Sequence, residues 1–378
     1  MDTNKLVSDL TAQFPDLKIY YQHSLAPYTT VKIGGPADVF IHSTSSTQLT
    51  EILKYLSSVD SIFSARKALK DSDEGASTVK NIIKPNITIL GNGSNTLISD
   101  SGLRGIVIKN SSDQFTILDS VSPATPASTK ISAHRTENDP AKYLNFSQID
   151  YDESDQPQVL VKIDSGCNLP STINRLINAG VTGLQWFGFI PGTIGGAVYG
   201  NIHGGTHHFS DFIKEVEVFD LNTGQIKHIP KTNLSWDYDH SSFQSQPNLI
   251  ILSVTLSLYR GDTARAKAAV QAWITQKSAV QSMNSLGSVF QNPPLAICQK
   301  NWGEQKSAGW IIDTQLNLKG AQIGDAQISP KHANFMINQS QATATDYLAL
   351  INLVQTQLRQ KFNFQFDLEI KLLGKFTH

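Results

Sequence analysis

The sequence predicts an α+β fold with mixed sheets, divided into at least two packed units, on three observations. The chain has 378 residues, more than one hydrophobic core ordinarily serves. Segments with helical apolar spacing and segments with strand-like runs alternate irregularly, without the strand–helix–strand order of a doubly wound sheet. A very glycine-rich section, 188–205, separates a helix from the strands that follow it, and no internal repeat is visible.

In chain order, Leu6, Leu10 and Phe14 share one helical face and predict a helix over 4–14. Val39-Phe40-Ile41 reads as a short strand, and Leu49, Ile52, Leu53 and Leu56 predict a helix over 46–58. Residues 65–84 are rich in Lys, Asp, Ser and Glu without apolar period, which predicts a solvated loop in a polar insertion, 62–84. Strands are expected at 87–90 and 105–108. A second polar stretch, 110–158, reads as a loop or hairpin insertion with little rigid structure at its tip. Strand 159–163, helix 169–179 and strands 215–220 and 249–259 follow. The last third predicts a helix at 264–280, a loop through 303, a helix near 307–316, a helix at 343–362 and a terminal strand, 366–373.

Composition excludes several functions. Basic and acidic residues number 31 and 32, a net charge of -1, which gives no electrostatic reason for a nucleic acid or anionic membrane as partner. Cys167 and Cys298 have no neighbour at CxxC spacing, so two reduced structural thiols are expected, a disulfide staying open. No apolar run reaches the roughly 18 residues of a membrane span, and the N-terminus is polar, so cytoplasm is the expected location.

Three glycine clusters carry the chemistry: Ile33-Gly34-Gly35-Pro36-Ala37, Gly91-Asn92-Gly93-Ser94-Asn95-Thr96, and Ile190-Pro191-Gly192-Thr193-Ile194-Gly195-Gly196-Ala197. Glycine admits positive φ and close approach of a ligand, so that consecutive N–H groups converge on an anion. The second cluster departs from the Rossmann fingerprint, with Thr96 where its third glycine belongs and no ribose-binding acid about 20 residues on. Each cluster alone is as well read as a tight turn. Together they point to a dinucleotide held by loops.

The same segments resemble a known family, the UDP-N-acetylenolpyruvoylglucosamine reductases. The likeness covers 29–37 (with Thr29 where Asn is usual), 90–97, 189–197, Gly287-Ser288-Val289-Phe290-Gln291-Asn292-Pro293, 308–313, 318–320, 332–335 and Leu368-Glu369-Ile370-Lys371. The motifs stand in the family's order across roughly 24–374, interrupted by the two insertions. The resemblance implies a region of the p-cresol methylhydroxylase type over 1–262, in two subdomains split near 85–110, that binds FAD. A C-terminal α+β domain, 263–378, would close over the sugar nucleotide. It implies FAD bound non-covalently, since 91–97 lacks the histidine that would attach it, and NADPH as reductant. A small-molecule substrate and a monomer are expected, although no residue fixes the oligomeric state.

By the same resemblance, Ser288 donates a proton and Glu369 helps hold the enol form, which asks for a carboxyl tuned by burial. Gly34, Gly35, residues 91–96, Ile190, Pro191, Gly192, Thr193, Gly195, Gly196, Ala197 and Asn201 are assigned to the cofactor. Tyr238, Lys277, Gln291 and Asn292 are assigned to the substrate. The family's Tyr-Arg-x-Ser-x-Phe departs here to Tyr238-Asp239-His240-Ser241-Ser242-Phe243, with Asp239 at the arginine position, the wrong sign to meet a substrate carboxylate. Thr275 likewise stands where Arg is usual, with Lys277 nearby.

Residues 201–208 bring His203, His207 and His208, and His240 adds a fourth imidazole. His203 or His240 paired with Asp239 is a candidate replacement for the arginine. A metal site and plain solvated loop histidines are the competing readings, no carboxylate or cysteine sharing a clear ligand spacing with them. Asp239 also keeps open a different flavin oxidoreductase of the same superfamily, or a flavin-binding paralogue without turnover.

Overall fold

A computed structural model describes residues 3–71, 86–121, 151–282 and 284–376. The chain opens with helix α1 (Thr3–Gln13) and strands β1 (Lys18–Ser24) and β2 (Pro36–Ser43), followed by helix α2 (Ser46–Asp71). Next come β3 (Ile87–Leu90), β4 (Thr96–Ile98) and β5 (Leu103–Asn110). The first sheet has the order β1-β2-β5-β3, with β2 and β3 both parallel to β5. Helices α1 and α2 cover it, burying Leu6, Leu10, Leu49, Ile52, Leu53 and Leu56 against Val39, Ile41, Ile106 and Ile108.

α2 runs to Asp71, so residues 65–71 are helical rather than loop. The physical reason is propagation. Ala65-Arg66-Lys67-Ala68-Leu69-Lys70 are strong helix formers joined to an established helix, which needs no apolar period to continue. The rest of the expected loop, 72–84, lies outside the described residues.

The second sheet, ordered β9-β8-β10-β7-β6, is antiparallel throughout. It is built from β6 (Phe115–Val121), β7 (Gln158–Asp164), β8 (Ile213–Asp220), β9 (Gln225–Pro230) and β10 (Leu249–Tyr259). β6 and β7 make the hairpin reading of 110–158 correct at its base, while 122–150 lies outside the described residues. Helices α3 (Leu169–Asn178), α4 (Ile194–Gly200) and α5 (Thr263–Val280) belong to this half. α3 starts where Asn168 caps it, its side chain accepting from Ser171 N at 3.0 Å, and buries Leu169, Ile173, Leu176 and Ile177. α5 starts on Asp262, which accepts from Ala264 N and Arg265 N at 2.9 and 3.1 Å, and packs Ala266, Ala269 and Val270 on the same core.

The third sheet, β11-β14-β13-β12, comprises β11 (Ser285–Ser288), β12 (Gln322–Ile323), β13 (Ala326–Ile328) and β14 (Phe335–Asn338). β11 and helix α6 (Leu295–Trp302) replace the loop expected through 303. β11 is short, with Gly287 at φ 84, and pairs irregularly with β14, so it shows no alternation for a sequence pattern to catch. The short helix α7 (Ala308–Trp310) passes into a π-helical turn, Ile311–Gln315. Helix α8 (Ala344–Phe362) buries Tyr347, Leu350, Ile351, Val354 and Leu358 in the third core.

The terminal strand is shorter than expected. Only β15 (Lys371–Leu373) is regular, Leu368 makes an isolated bridge to Phe290, and Glu369 lies in the bend between them. β15 pairs in parallel with β4, Lys371 against Thr96, and this pairing brings the chain's end to the second glycine cluster. Cys167 and Cys298 are both free and buried. No helix among the described residues is long and apolar enough to cross a membrane.

Candidate active site

β3 ends at Leu90 and hands the chain to the turn 91–95, which returns as β4. Gly93 lies at φ +55, and a Cβ there would come within 2.7 Å of the Tyr28 carbonyl, so only glycine fits. Lys109, at the end of β5, reaches under the turn and donates to Gly91 O at 2.6 Å and Asn92 Oδ1 at 3.0 Å. It is 9% exposed, and burial lowers its ammonium pKa to about 8. The turn 190–193 faces it, with Asn92 Nδ2 donating to Gly192 O at 3.0 Å and Ser94 Oγ to Pro191 O at 2.7 Å. The amides of Asn92, Gly93 and Ser94 donate to no protein group among the described residues. Consecutive free amides in a glycine-shaped turn form a nest of the kind that takes a phosphate.

The other assigned glycine-cluster residues do structural tasks. Gly35 donates to Ser99 O at 2.9 Å, and a Cβ on it would sit 2.1 Å from the Asp100 carbonyl. With Gly34 it lines a shallow cavity of about 350 Å³ that none of the residues 91–96, Ser288 or Glu369 borders. Thr193 caps α4 by accepting from Gly196 N at 3.2 Å, Gly195 N donates to Ser165 O at 2.7 Å, and Ala197 is core. Asn201 is committed at both ends: its Nδ2 donates to Asp237 O at 2.8 Å and its Oδ1 accepts from Ser210 N at 3.0 Å. It is an anchor for the hairpin that carries Tyr238 and Asp239.

The turn meets the main chain of the segment that carries Glu369. Asn95 Nδ2 donates to Glu369 O at 3.3 Å, and Lys371 N donates to Asn95 O at 2.9 Å. Glu369 N in turn donates to Val289 O at 2.9 Å, which sets Ser288 and Glu369 on adjoining segments. Burial holds the Glu369 carboxyl well above its ordinary range, and the Asp239 carboxylate pushes the same way, while Lys277 opposes both. Lys277 Nζ also lies 5.3 Å over the Phe189 ring, beside the third glycine cluster. Gln291 is pinned by its N–H to Asp367 O at 2.9 Å, and Asn292 Oδ1 accepts from Ala308 N at 2.9 Å. That bond gives Asn292 a capping task at α7.

The histidine that meets Asp239 is His203, Nδ1 to Oδ1 at 3.4 Å. His240 is exposed on the two-residue strand His240–Ser241. Among the described residues no cluster of three or more His, Cys, Asp or Glu is placed to hold a metal.

Residues 278–373 match the family profile described as "UDP-N-acetylenolpyruvoylglucosamine reductase, C-terminal domain", and 123–230 match an FAD binding domain. Curated relatives of that reductase name include one from Acaryochloris marina, 31% identical over 358 residues, covering 93% of this chain and 92% of the relative. A Synechococcus relative is 30% identical over 366 residues, covering 96% of both. The chain belongs to the UDP-N-acetylenolpyruvoylglucosamine reductase family. A crystal structure of the UDP-N-acetylenolpyruvylglucosamine reductase from Thermus caldophilus superposes with a TM-score of 0.63 at 23% identity. It covers 95% of this chain and 99% of its own, and shows that the fold is shared. The α+β expectation, an FAD-binding domain followed by a C-terminal α+β domain, agrees with both profiles and with this fold.

Within this reductase family frame, Lys109 is the residue that sequence reading passed over. Its signal was present: a lone lysine closing the apolar run Ile106-Val107-Ile108, in the second strand after the glycine turn. Phe189 was read only as part of a loop motif, whereas its ring is a platform for Lys277 and stacks on Trp273 at 5.6 Å.

Proposed function

We propose that this chain reduces the enolpyruvyl ether of UDP-N-acetylglucosamine to UDP-N-acetylmuramate, a step of peptidoglycan synthesis serving cell-wall growth and division. FAD is held non-covalently, NADPH is the reductant, and the site of action is the cytoplasm. The observation that carries this reading is the junction of the 91–95 turn with the Glu369 and Ser288 segments through Asn95 and β15. It joins a phosphate nest to a proton-bearing pair.

The residues fit the cofactor. Free amides at 92–94 and the glycine at 93, where no side chain fits, suit a pyrophosphate, with Lys109 holding the turn from behind. FAD, when bound, accepts hydride and passes it on. The chain's own groups supply the rest. Ser288 gives a proton to the carbanion-like centre beside the substrate carboxylate, and Glu369, kept protonated, donates a hydrogen bond to the enol form. Lys277 and Tyr238 meet the substrate acid group, and Gln291 and Asn292 are further substrate residues. Residues 1–262 form the cofactor half, to which α5 adds its apolar face, and the remainder of 263–378 closes over the substrate of a monomeric enzyme.

An absorbance spectrum of the purified protein tests the first half: a flavin band is expected, released on denaturation. Addition of NADPH should bleach that band, and UDP-N-acetylglucosamine enolpyruvate should restore it. A bleached band that this substrate leaves unrestored would end the reading.

A further inference from the structure

The hairpin of Trp236–Asp237 and His240–Ser241 is tied to the end of α4 at three points. Asn201 Nδ2 donates to Asp237 O at 2.8 Å, Ser241 Oγ donates to Tyr199 O at 2.7 Å, and Gln244 Nε2 bridges Tyr199 O at 3.1 Å and Asp239 O at 3.0 Å. Asp239, between the two strands, lies at φ +50, a left-handed conformation that a non-glycine residue keeps only where its surroundings hold it. Its side chain is 17% exposed; Oδ1 meets His203 Nδ1 at 3.4 Å, and Oδ2 is buried with no hydrogen-bond partner. His203 Nε2 in turn lies 3.4 Å from Tyr238 Oη, with the rings 4.8 Å apart. The result is a chain from solvent inward: phenol, imidazole, carboxylate.

Several titratable groups surround this chain: Asp237 Oδ1 accepts from Tyr238 N at 2.7 Å, Asp211 Oδ2 accepts from His208 N at 2.8 Å, and the exposed His240 follows Asp239. His208 flanks it, its ring 6.4 Å from His203 and 6.3 Å from Tyr238. From the other elements, Glu369 and Lys277 share its field. Burial and Asp239 both favour the protonated form of Glu369, so a ligand carboxylate brought beside it meets the Asp239 carboxylate, with Lys277 as counter-charge. An arginine at position 239 would hold a permanent positive charge there; with Asp239 in its place, positive charge beyond that of Lys277 must come from an imidazole.

We infer that the Asp239–His203 pair is a proton-linked counter-charge. His203 takes up a proton when a carboxylate-bearing ligand binds, turning Asp239 from a repelling carboxylate into half of an ion pair. His203 is thus a positioning residue, and Tyr238 accepts the hydrogen bond of its second N–H. The inference rests on the proposed function for its ligand, and deepens it.

The test is calorimetric binding of UDP-N-acetylglucosamine enolpyruvate to the FAD-loaded protein, without reductant, at about pH 7.5 in phosphate and in Tris. The difference in heat between the two buffers gives the protons exchanged. The wild type should take up about 0.5–1 proton per ligand. In His203→Gln and in Asp239→Asn the uptake should fall below about 0.2, and UDP-N-acetylglucosamine, which has no carboxylate, should show none. An unchanged flavin spectrum in each variant establishes that it is folded. Binding without uptake in the wild type, or equal uptake in wild type and His203→Gln, overturns this inference and leaves the proposed function standing. Failure of the enolpyruvyl nucleotide to bind overturns the proposed function, and this inference with it.

Discussion

The main-chain N–H of Glu369 donates to the carbonyl of Val289 at 2.9 Å, so the residue that follows Ser288 is bonded to the residue bearing the raised carboxyl. A bridge between Leu368 and Phe290 extends the contact. Both links run through backbone, so side-chain replacement leaves the two segments joined. Ser288→Ala should therefore fold and bleach with NADPH within about twofold of the wild-type rate. The substrate-dependent return of the flavin band should slow by about 10²–10⁴-fold, the range expected for loss of a proton donor. Stopped-flow absorbance separates the two steps, and equal slowing of both would remove Ser288 from the chemistry.

The proposed role of Glu369 carries a pH dependence. Its carboxyl is raised first by burial and then by Asp239, with Lys277 opposing. If the protonated form is the working one, activity is complete below the raised pKa and is lost as pH climbs through it. Asp239→Asn removes one raising cause, so the alkaline limb of kcat/KM should move to lower pH, and Glu369→Gln should have no such limb. A limb that stays put in Asp239→Asn would disconnect the two carboxyls.

The residues that were legible in the sequence share one property: their pattern is local. Helix α8 carries its apolar period over more than two turns, and strand β10 opens on the apolar run 249–252 and alternates from there to 258; both appear where expected. β11 and the bend at Glu369 were not legible, because their order comes from partners far along the chain, such as Val289 with Glu369 and Lys371 with Thr96. The glycine turns announced a phosphate site, but not which members would face it. Asn201 and Gly195 turn out to spend their hydrogen bonds on the fold, and Lys109 supports the turn from a strand that read as plain core. His203 and His240 were both candidates to meet Asp239, and the fold of 201–208 onto the hairpin, which no spacing rule contains, decides for His203.

Gly93 offers a test of the nest that leaves the chemistry alone. At φ +55, and with the Tyr28 carbonyl 2.7 Å from where a Cβ would stand, Gly93→Ala must shift the turn. The left-handed cost is about 1–2 kcal/mol, and the clash adds to it. The expected protein keeps its circular dichroism but binds FAD at least about tenfold more weakly, as read by quenching of flavin fluorescence. Undiminished FAD affinity would show that the amides at 92–94 are not the pyrophosphate site.

Asp100 joins the halves of the molecule. From the turn after β4 its carboxylate accepts from Ala344 N at 2.7 Å, Thr345 N at 2.9 Å and Thr345 Oγ1 at 2.7 Å, at the first turn of α8. Thr343 and Asp346 already form a capping box there, so Asp100→Ala should leave α8 intact. It should cost about 1–2 kcal/mol, read as a lower urea midpoint, with faster amide exchange at the start of α8. Loss below about 0.3 kcal/mol would mean that the box alone satisfies the helix end.

Lys109 makes a prediction about stability with a definite sign. The ammonium is buried, and its pKa falls from 10.5 to about 8 because burial disfavours the charged form. Between those values the unfolded chain binds the proton and the folded one does not, so stability rises with pH across that window. The contribution is fully present above about 10.5 and has disappeared below about 8. In the flavin-free protein, the stability of wild type minus that of Lys109→Met should be flat from about pH 6 to 8, then climb by about 1.4 kcal/mol per unit. Below pH 8 the methionine variant is relieved of a buried charge, but Gly91 O and Asn92 Oδ1 lose their donor, and the turn loses its support. FAD should therefore dissociate faster from Lys109→Met even where that variant resists urea as well as the wild type. Urea titrations at several pH values, paired with FAD release rates, check both arms. Parallel stability curves would mean that the lysine is solvated, and unchanged release would mean that the turn stands without it.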